Sequence, residues 1–139
     1  MLSLEEIIHS STKPEDLDPD KLEQEKDLLE KVNKVRAAYG KAMTVTSGVR
    51  TLKEHLAIYA KKGITDQSKI PMKSHHLETV TDSAAVDIAD GDGKIKDWVK
   101  NNVSVLEDAE LWCEDFGTTT TWIHFQNTPP KSGNRFFKP

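Results

Sequence analysis

Two histidines and an aspartate, set in three separate stretches of chain, have the residue types of a divalent-metal site. His76 lies in Ser74-His75-His76, Asp87 in Ala84-Ala85-Val86-Asp87-Ile88, and His124 in Trp122-Ile123-His124-Phe125-Gln126. Two neutral imidazoles and one carboxylate suit zinc, neutralise its charge only in part, and leave one tetrahedral position for water. A water so held has its pKa lowered to about 7, so the chemistry on offer is hydrolysis near neutral pH. The setting adds weight. Asp87 stands between Val86 and Ile88, where a buried carboxylate is costly without a cation. His124 stands between Ile123 and Phe125, and strand alternation turns it to the face opposite theirs. One shared metal accounts for both residues.

The elements that must position this trio read as a small α+β domain, a mainly antiparallel sheet flanked by helices. Ser3 and Glu6 have the spacing of a capping box, which opens a short helix over 4–9. Residues 12–20, with Pro14 and Pro19 among acids, read as a surface loop. The spacing of Leu22, Leu29, Val32, Val35 and Tyr39 predicts a helix over 20–39 that Gly40 stops. Residues 43–50 are rich in β-branched types and predict a strand running into a turn. Thr51 and Glu54 open a helix with Leu52, Leu56 and Tyr59 on its apolar face, ended by Gly63. A polar loop follows through Pro71 to the histidine pair. Residues 84–88 predict a buried strand, Asp90-Gly91-Asp92-Gly93 a plain turn, and 95–101 and 106–110 short helices. Residues 111–113 and 122–126 read as paired strands, and 129–139 as an extended tail. His9 and His55 fall on helices without metal-spaced partners and take surface or capping roles. Trp98 and Trp112 are core candidates.

Four segments carry a family resemblance. Thr46-Ser47-Gly48-Val49-Arg50, Ser74-His75-His76, Ala85-Val86-Asp87-Ile88 and Trp122-Ile123-His124 resemble, in family order, the zinc D-Ala-D-Ala carboxypeptidase family. Its hallmark is S-x-H-x-x-G-x-A-x-D followed much later by W-x-H. The family shares its fold with the Hedgehog signalling domain and includes bacteriophage endolysin peptidases. The similarity runs over residues 3–126, and the 129–133 tail looks like that of small phage-encoded members. The resemblance implies a Hedgehog/DD-peptidase-like fold, Zn2+ as cofactor, and His76, Asp87 and His124 as its ligands. It further implies that Arg50 holds substrate and steadies the oxyanion, as a forked guanidinium can. Ser47 and Trp122 are the other candidates for touching substrate, against the plainer roles of turn and packing residue. The implied substrate is a peptidoglycan stem peptide, cut at the terminal D-Ala-D-Ala bond or internally.

This chain departs from the pattern twice. Residues 77–86 separate His76 from Asp87, a longer interval than the hallmark allows, and Ser83 stands in place of its glycine; 77–82 read as a loop insertion. His76 rather than His75 is the expected ligand, because the serine stands two places before it. His75 is then a supporting or solvent-facing neighbour. Relatives also place an acid or histidine just before the last ligand, where this chain has Gly117-Thr118-Thr119-Thr120-Thr121. The general base is therefore expected to be Glu114, with Asp115 close behind, brought over the metal by the threonine loop. Both departures also suit an alternative, a metal-binding structural or partner-binding module of the same fold that does not hydrolyse anything.

Composition limits the rest. The chain of 139 residues is 30% charged and 36% hydrophobic, the make-up of one soluble domain over 1–139. A net charge of -4 with scattered lysines argues against nucleic acid, which needs clustered cations. Cys113 is the single cysteine and excludes both an internal disulfide and a thiolate cluster. The apolar runs are too short to span a membrane. The first residues lack a signal peptide's basic and apolar blocks. A monomer made in the cytoplasm, phage-encoded and reaching the cell wall on release or with the virion, is the expectation.

Overall fold

The computed structural model describes residues 1–10 and 12–139. It is an α+β protein with a mostly antiparallel five-stranded sheet in the order β1-β2-β4-β3-β5. The strands are β1 (Val45–Ser47), β2 (Ala85–Ala89), β3 (Trp112–Glu114), β4 (Trp122–Gln126) and β5 (Phe136–Phe137). The helices are α1 (Leu4–Ile8), α2 (Pro19–Tyr39), α3 (Leu52–Lys61), α4 (Lys94–Asn101) and α5 (Val103–Ala109). Only β3 and β5 run parallel among the pairs of this sheet.

Alternation divides the sheet into two unlike faces. Val86 and Ile88 of β2, Cys113 of β3, and Ile123 and Phe125 of β4 turn one way and are fully buried. They join Ile7, Leu28, Val32, Val35, Val99 and Leu106 in the main core, so α1, α2, α4 and α5 cover this face. The other face carries polar residues and is roofed by the 71–83 loop and the tail.

Local chemistry explains the element ends. Ser3 and Glu6 close a reciprocal capping box, and Gly40 ends α2 at φ 78°. Asp18 caps α2 through the Asp20 amide, so the helix begins before the expected loop is over, with Pro19 in its first turn. The loop itself holds a 3-10 turn, Pro14–Asp16. Thr51 caps α3 by accepting from the Glu54 amide. Asp90 is buried and accepts from the amides of Ile95 and Lys96, so the Asp-Gly-Asp-Gly turn serves as the lead into α4.

Three elements differ from expectation. The strand over 43–50 pairs only at Val45–Ser47, because the chain leaves the sheet at Gly48 to pass against the end of α1. There the Val49 amide donates to Ile8 O at 2.7 Å. The helix over 106–110 starts earlier, at Val103. The tail is not merely extended, since Phe136–Phe137 adds an edge strand to β3. On α3 the buried residue is His55, while Leu52, Leu56 and Tyr59 stay half-exposed. The expected surface or capping role of His55 is thereby corrected. Its Nε2 meets Pro71 O at 2.6 Å and its Nδ1 meets Arg50 at 3.3 Å, so both ring nitrogens are satisfied in the interior. Cys113 is buried as expected, and burial pushes its thiol pKa up. Trp98 is half-buried against the core with its ring edge-on to Tyr39, and Trp112 is half-buried beneath Arg135.

Candidate metal centre

Strand register assembles the site. Ser47 lies opposite Asp87, and Asp87 opposite His124. The β3–β4 register, Trp112 with Gln126 and Cys113 with Phe125, continues to Glu114 beside His124, and Glu114 pairs Phe137 across the edge. One row therefore crosses the whole polar face: Ser47, Asp87, His124, Glu114, Phe137. Directly opposed residues of neighbouring strands share a face. His76 joins from outside the sheet, on a turn of the 71–83 loop and not on a strand.

Each of His76, Asp87 and His124 presents one ligand-type atom, and the atoms lie within 4.8 Å of one another. His76 Nε2 is 3.4 Å and His124 Nδ1 2.9 Å from the same Asp87 oxygen. Both histidines are buried. The far nitrogens decide what the near ones offer. His76 Nδ1 faces Gly48 O at 2.8 Å, and His124 Nε2 faces Gln126 Oε1 at 2.9 Å. Carbonyl oxygens accept only, so both far nitrogens carry the N–H. The orientation of Gln126 is set by its own amide, whose Nε2 donates to Thr128 O at 2.8 Å. In the neutral rings the near nitrogens are lone pairs, aimed at a carboxylate that also only accepts. A cation belongs between them, and this buried group is able to hold a metal ion. Carbonyl partners behind the ligating rings are the usual way a metal site fixes tautomer and ring angle.

With no ion between them, His124 and Asp87 answer one another through a proton. Burial works against charge on Asp87, but the hydrogen bonds and charges of His124 and His76 outweigh it and hold its carboxyl well below the usual range. Burial likewise opposes charge on His124, and its bond to Asp87, with Glu114 near, raises its pKa above the ordinary histidine value. Metal must displace that proton. Affinity for a divalent metal ion should therefore weaken as pH falls through the His124 range, by up to about tenfold per pH unit for each proton displaced. Calorimetric zinc titrations across that range check it.

Gly48 links the fold to this chemistry. A Cβ at position 48 would overlap the carbonyl oxygens of Ile7 and Ile8. Gly48→Ala is expected to cost about 3 kcal/mol, the upper end for overpacking. It should also weaken metal binding by about 10–100-fold as the Gly48 carbonyl leaves His76. Chemical denaturation and metal titration of the variant measure the two effects.

Glu114 reaches the site by register alone, its Oε1 3.7 Å from His124 Nδ1. The threonine loop is tied elsewhere: Thr119 is buried and its carbonyl accepts from the Lys96 ammonium. Asp115 points away from Glu114 and lines a different hollow with Lys100, Phe116, Gly117 and Phe136. A groove of about 400 Å³ opens over His76 and His124 between Pro71, Lys73, Ser74 and His75 on one side and Glu114, Gln126, Phe137 and Pro139 on the other. A slightly larger hollow, about 410 Å³ around Tyr39, Asp90 and Asp92, contains none of the trio. Trp122, at the far end of β4 opposite Ala89, is half-exposed and outside the groove wall.

Arg50 is fixed by its backbone as much as by its side chain. Its amide donates to His76 O at 2.8 Å, and its carbonyl accepts from Glu78 at 2.9 Å. Its guanidinium rests on His55 and forms no part of the groove wall.

Sequence reasoning missed Lys21. Its side chain is fully buried, and its ammonium donates to His75 O at 2.9 Å and Ser83 O at 2.8 Å. It thus clamps both ends of the loop that follows the first ligand. Glu25, one turn on and also fully buried, lies 3.8 Å away, an ion pair rather than a hydrogen bond. Neither Glu25 oxygen has a hydrogen-bond partner among the described residues. Burial pushes Glu25 up to about 7, against the pull of Lys21, and pushes Lys21 down. Helical spacing of a Lys–Glu pair reads as a solvated face, so nothing local marked it. His75 lies half-buried in the groove wall, bonded to Ser83 Oγ, and burial lowers its pKa.

No described helix is long and apolar enough to cross a membrane. No family model, curated protein or solved structure matches this chain.

Proposed function

We propose that this chain is a zinc-dependent peptidase acting on peptidoglycan stem peptides, as a D-Ala-D-Ala carboxypeptidase or an endolysin-type endopeptidase. The observation that carries the reading is the convergence of His76, Asp87 and His124, with Glu114 beside His124 and a groove that opens over His76, His124 and Glu114. The family resemblance of the four motifs supplies the substrate class, and a donor set of two imidazoles and a carboxylate favours zinc.

When bound, zinc supplies a Lewis acid and a water of lowered pKa. His76 Nε2, Asp87 and His124 Nδ1 are the atoms that would hold it. Glu114 takes a proton from the attacking water and returns it to the leaving nitrogen, the work of a general base turned acid. Arg50 serves by placement, holding the backbone of His76 and, through His55, the Pro71 rim of the groove. The groove walls orient the peptide and displace water from it.

The test is metal content and turnover together. Wild-type protein purified without chelators should contain zinc, and His76→Ala should contain almost none. The loaded wild type should release new amino termini or free D-alanine from purified peptidoglycan. Full zinc content with no release from any wall fragment would reject the peptidase and favour a metal-binding module that does not hydrolyse.

A further inference from the structure

The groove does not end at the trio. Beyond His75, Gln126, Phe137 and Pro139 it runs into a second hollow of about 400 Å³, which shares those residues and is closed by Pro130, Lys131, Ser132 and Lys138. The chain as a whole is acidic, with 23 Asp and Glu against 19 Lys and Arg. This arm is the reverse. Lys73 stands on the groove wall, and Lys131 and Lys138 stand on the tail wall. None of the three pairs with a carboxylate among the described residues. Among the described residues Glu114 is the one acidic side chain in either wall, and it sits at the His76 and His124 end.

The tail wall is tied to the sheet on both sides of Phe136. Arg135 O accepts from the Cys113 amide at 2.9 Å, and Phe137 O from the Asp115 amide at 2.6 Å. The Arg135 side chain donates to Leu111 O and covers the Trp112 ring at 4.5 Å. Cations carried on a pre-formed wall lose less entropy on binding than cations on a free chain. Lys131 and Lys138 on the hollow, with Lys73 on the adjoining groove, raise the local concentration of anions and favour a ligand that brings negative charge.

Resting on the peptidase reading, we infer that this arm is an anion subsite that accepts a free carboxylate of the substrate peptide, away from the bond that is cut. Lys73, Lys131 and Lys138 are its specificity residues, and Phe137 and Pro139 pack the intervening aliphatic part. Arg50 cannot fill this role from its place against His55. Selection between carboxylate and amide forms of one peptide then resides in the tail and in Lys73 on the adjoining groove wall.

The experiment compares a synthetic stem peptide bearing its free carboxylates with the same peptide fully amidated. Binding to zinc-loaded protein is measured by calorimetry at low and high salt, and cleavage is followed alongside. The free acid should bind about tenfold tighter than the amide, the product of three screened contacts worth about twofold each. High salt should erode the difference. The Lys73→Gln/Lys131→Gln/Lys138→Gln variant should bind both peptides alike, and the corresponding triple arginine variant should restore the preference. All three lysines are exposed, so the melting temperature of each variant should match wild type. Equal affinity for both peptides, a preference that survives in the glutamine variant, or binding of neither peptide would overturn the subsite. A carboxylate preference in binding with no cleavage of either peptide would uphold the subsite and overturn the peptidase.

Discussion

Glu114→Gln is expected to lower kcat on peptidoglycan fragments by about 10²–10⁴-fold, the usual worth of a general acid–base group. Bound zinc and KM should change little. The amide keeps the shape and much of the polarity of the carboxylate but cannot take a proton. Glu114 approaches His124 at 3.7 Å and is not one of the trio, so the metal should stay. Asp115→Ala provides the contrast. Its side chain faces another hollow, so its turnover should remain near wild type. Rates for the two variants, read beside their zinc contents, separate proton transfer from metal binding. Equal losses in both, or loss of zinc in Glu114→Gln, would remove Glu114 from the role of base.

Lys21→Met should destabilise the fold by about 3–5 kcal/mol, because it leaves the Glu25 carboxylate buried without its cation. The pH dependence carries a definite sign. Glu25 is raised in the folded state to about 7 from an unfolded value of about 4.3. Its contribution is therefore fully present below that unfolded value and is lost as pH rises through the folded one. Wild-type stability should decline over that interval and then level off as far as Glu25 is concerned. The Lys21→Met variant should go on losing stability at higher pH, since its isolated carboxyl resists ionising further. Replacing both partners, Lys21→Met with Glu25→Leu, should recover most of the stability. It should not recover tight zinc binding, because the carbonyls of His75 and Ser83 would still lack their shared donor. Denaturant titrations at several pH values and zinc affinities of the three proteins check both halves.

The parts of this architecture that local chemistry controls were legible in the sequence. Ser3 with Glu6, Thr51 and Gly40 mark helix ends because caps are short-range devices, and β4 is read correctly because its alternation is strong. Asp87 and His124 were legible for a related reason, since polar residues in apolar strands demand an explanation, and His76 through the Ser74-His75-His76 motif. Glu114 could be narrowed to two acids, and the choice between them needed the β3–β4 register, which no local pattern encodes. Gly48, His55 and Lys21 escaped for the same reason. Their partners lie at Ile8, Pro71, His75 and Ser83, and pairing across such distances depends on tertiary packing. The tail strand was missed because Phe136–Phe137 is too short to show any period.

The passage of Gly48 beneath the first helix has a reciprocal side. Docking of α1 sets the Gly48 carbonyl that orients the His76 ring, so by thermodynamic linkage ion capture must in turn tighten the docking of α1. Filling the centre should therefore slow amide exchange at Val49 and across the opening helix, far from any coordinating atom. Stripping the ion with a chelator should loosen that N-terminal segment before the central strands give way.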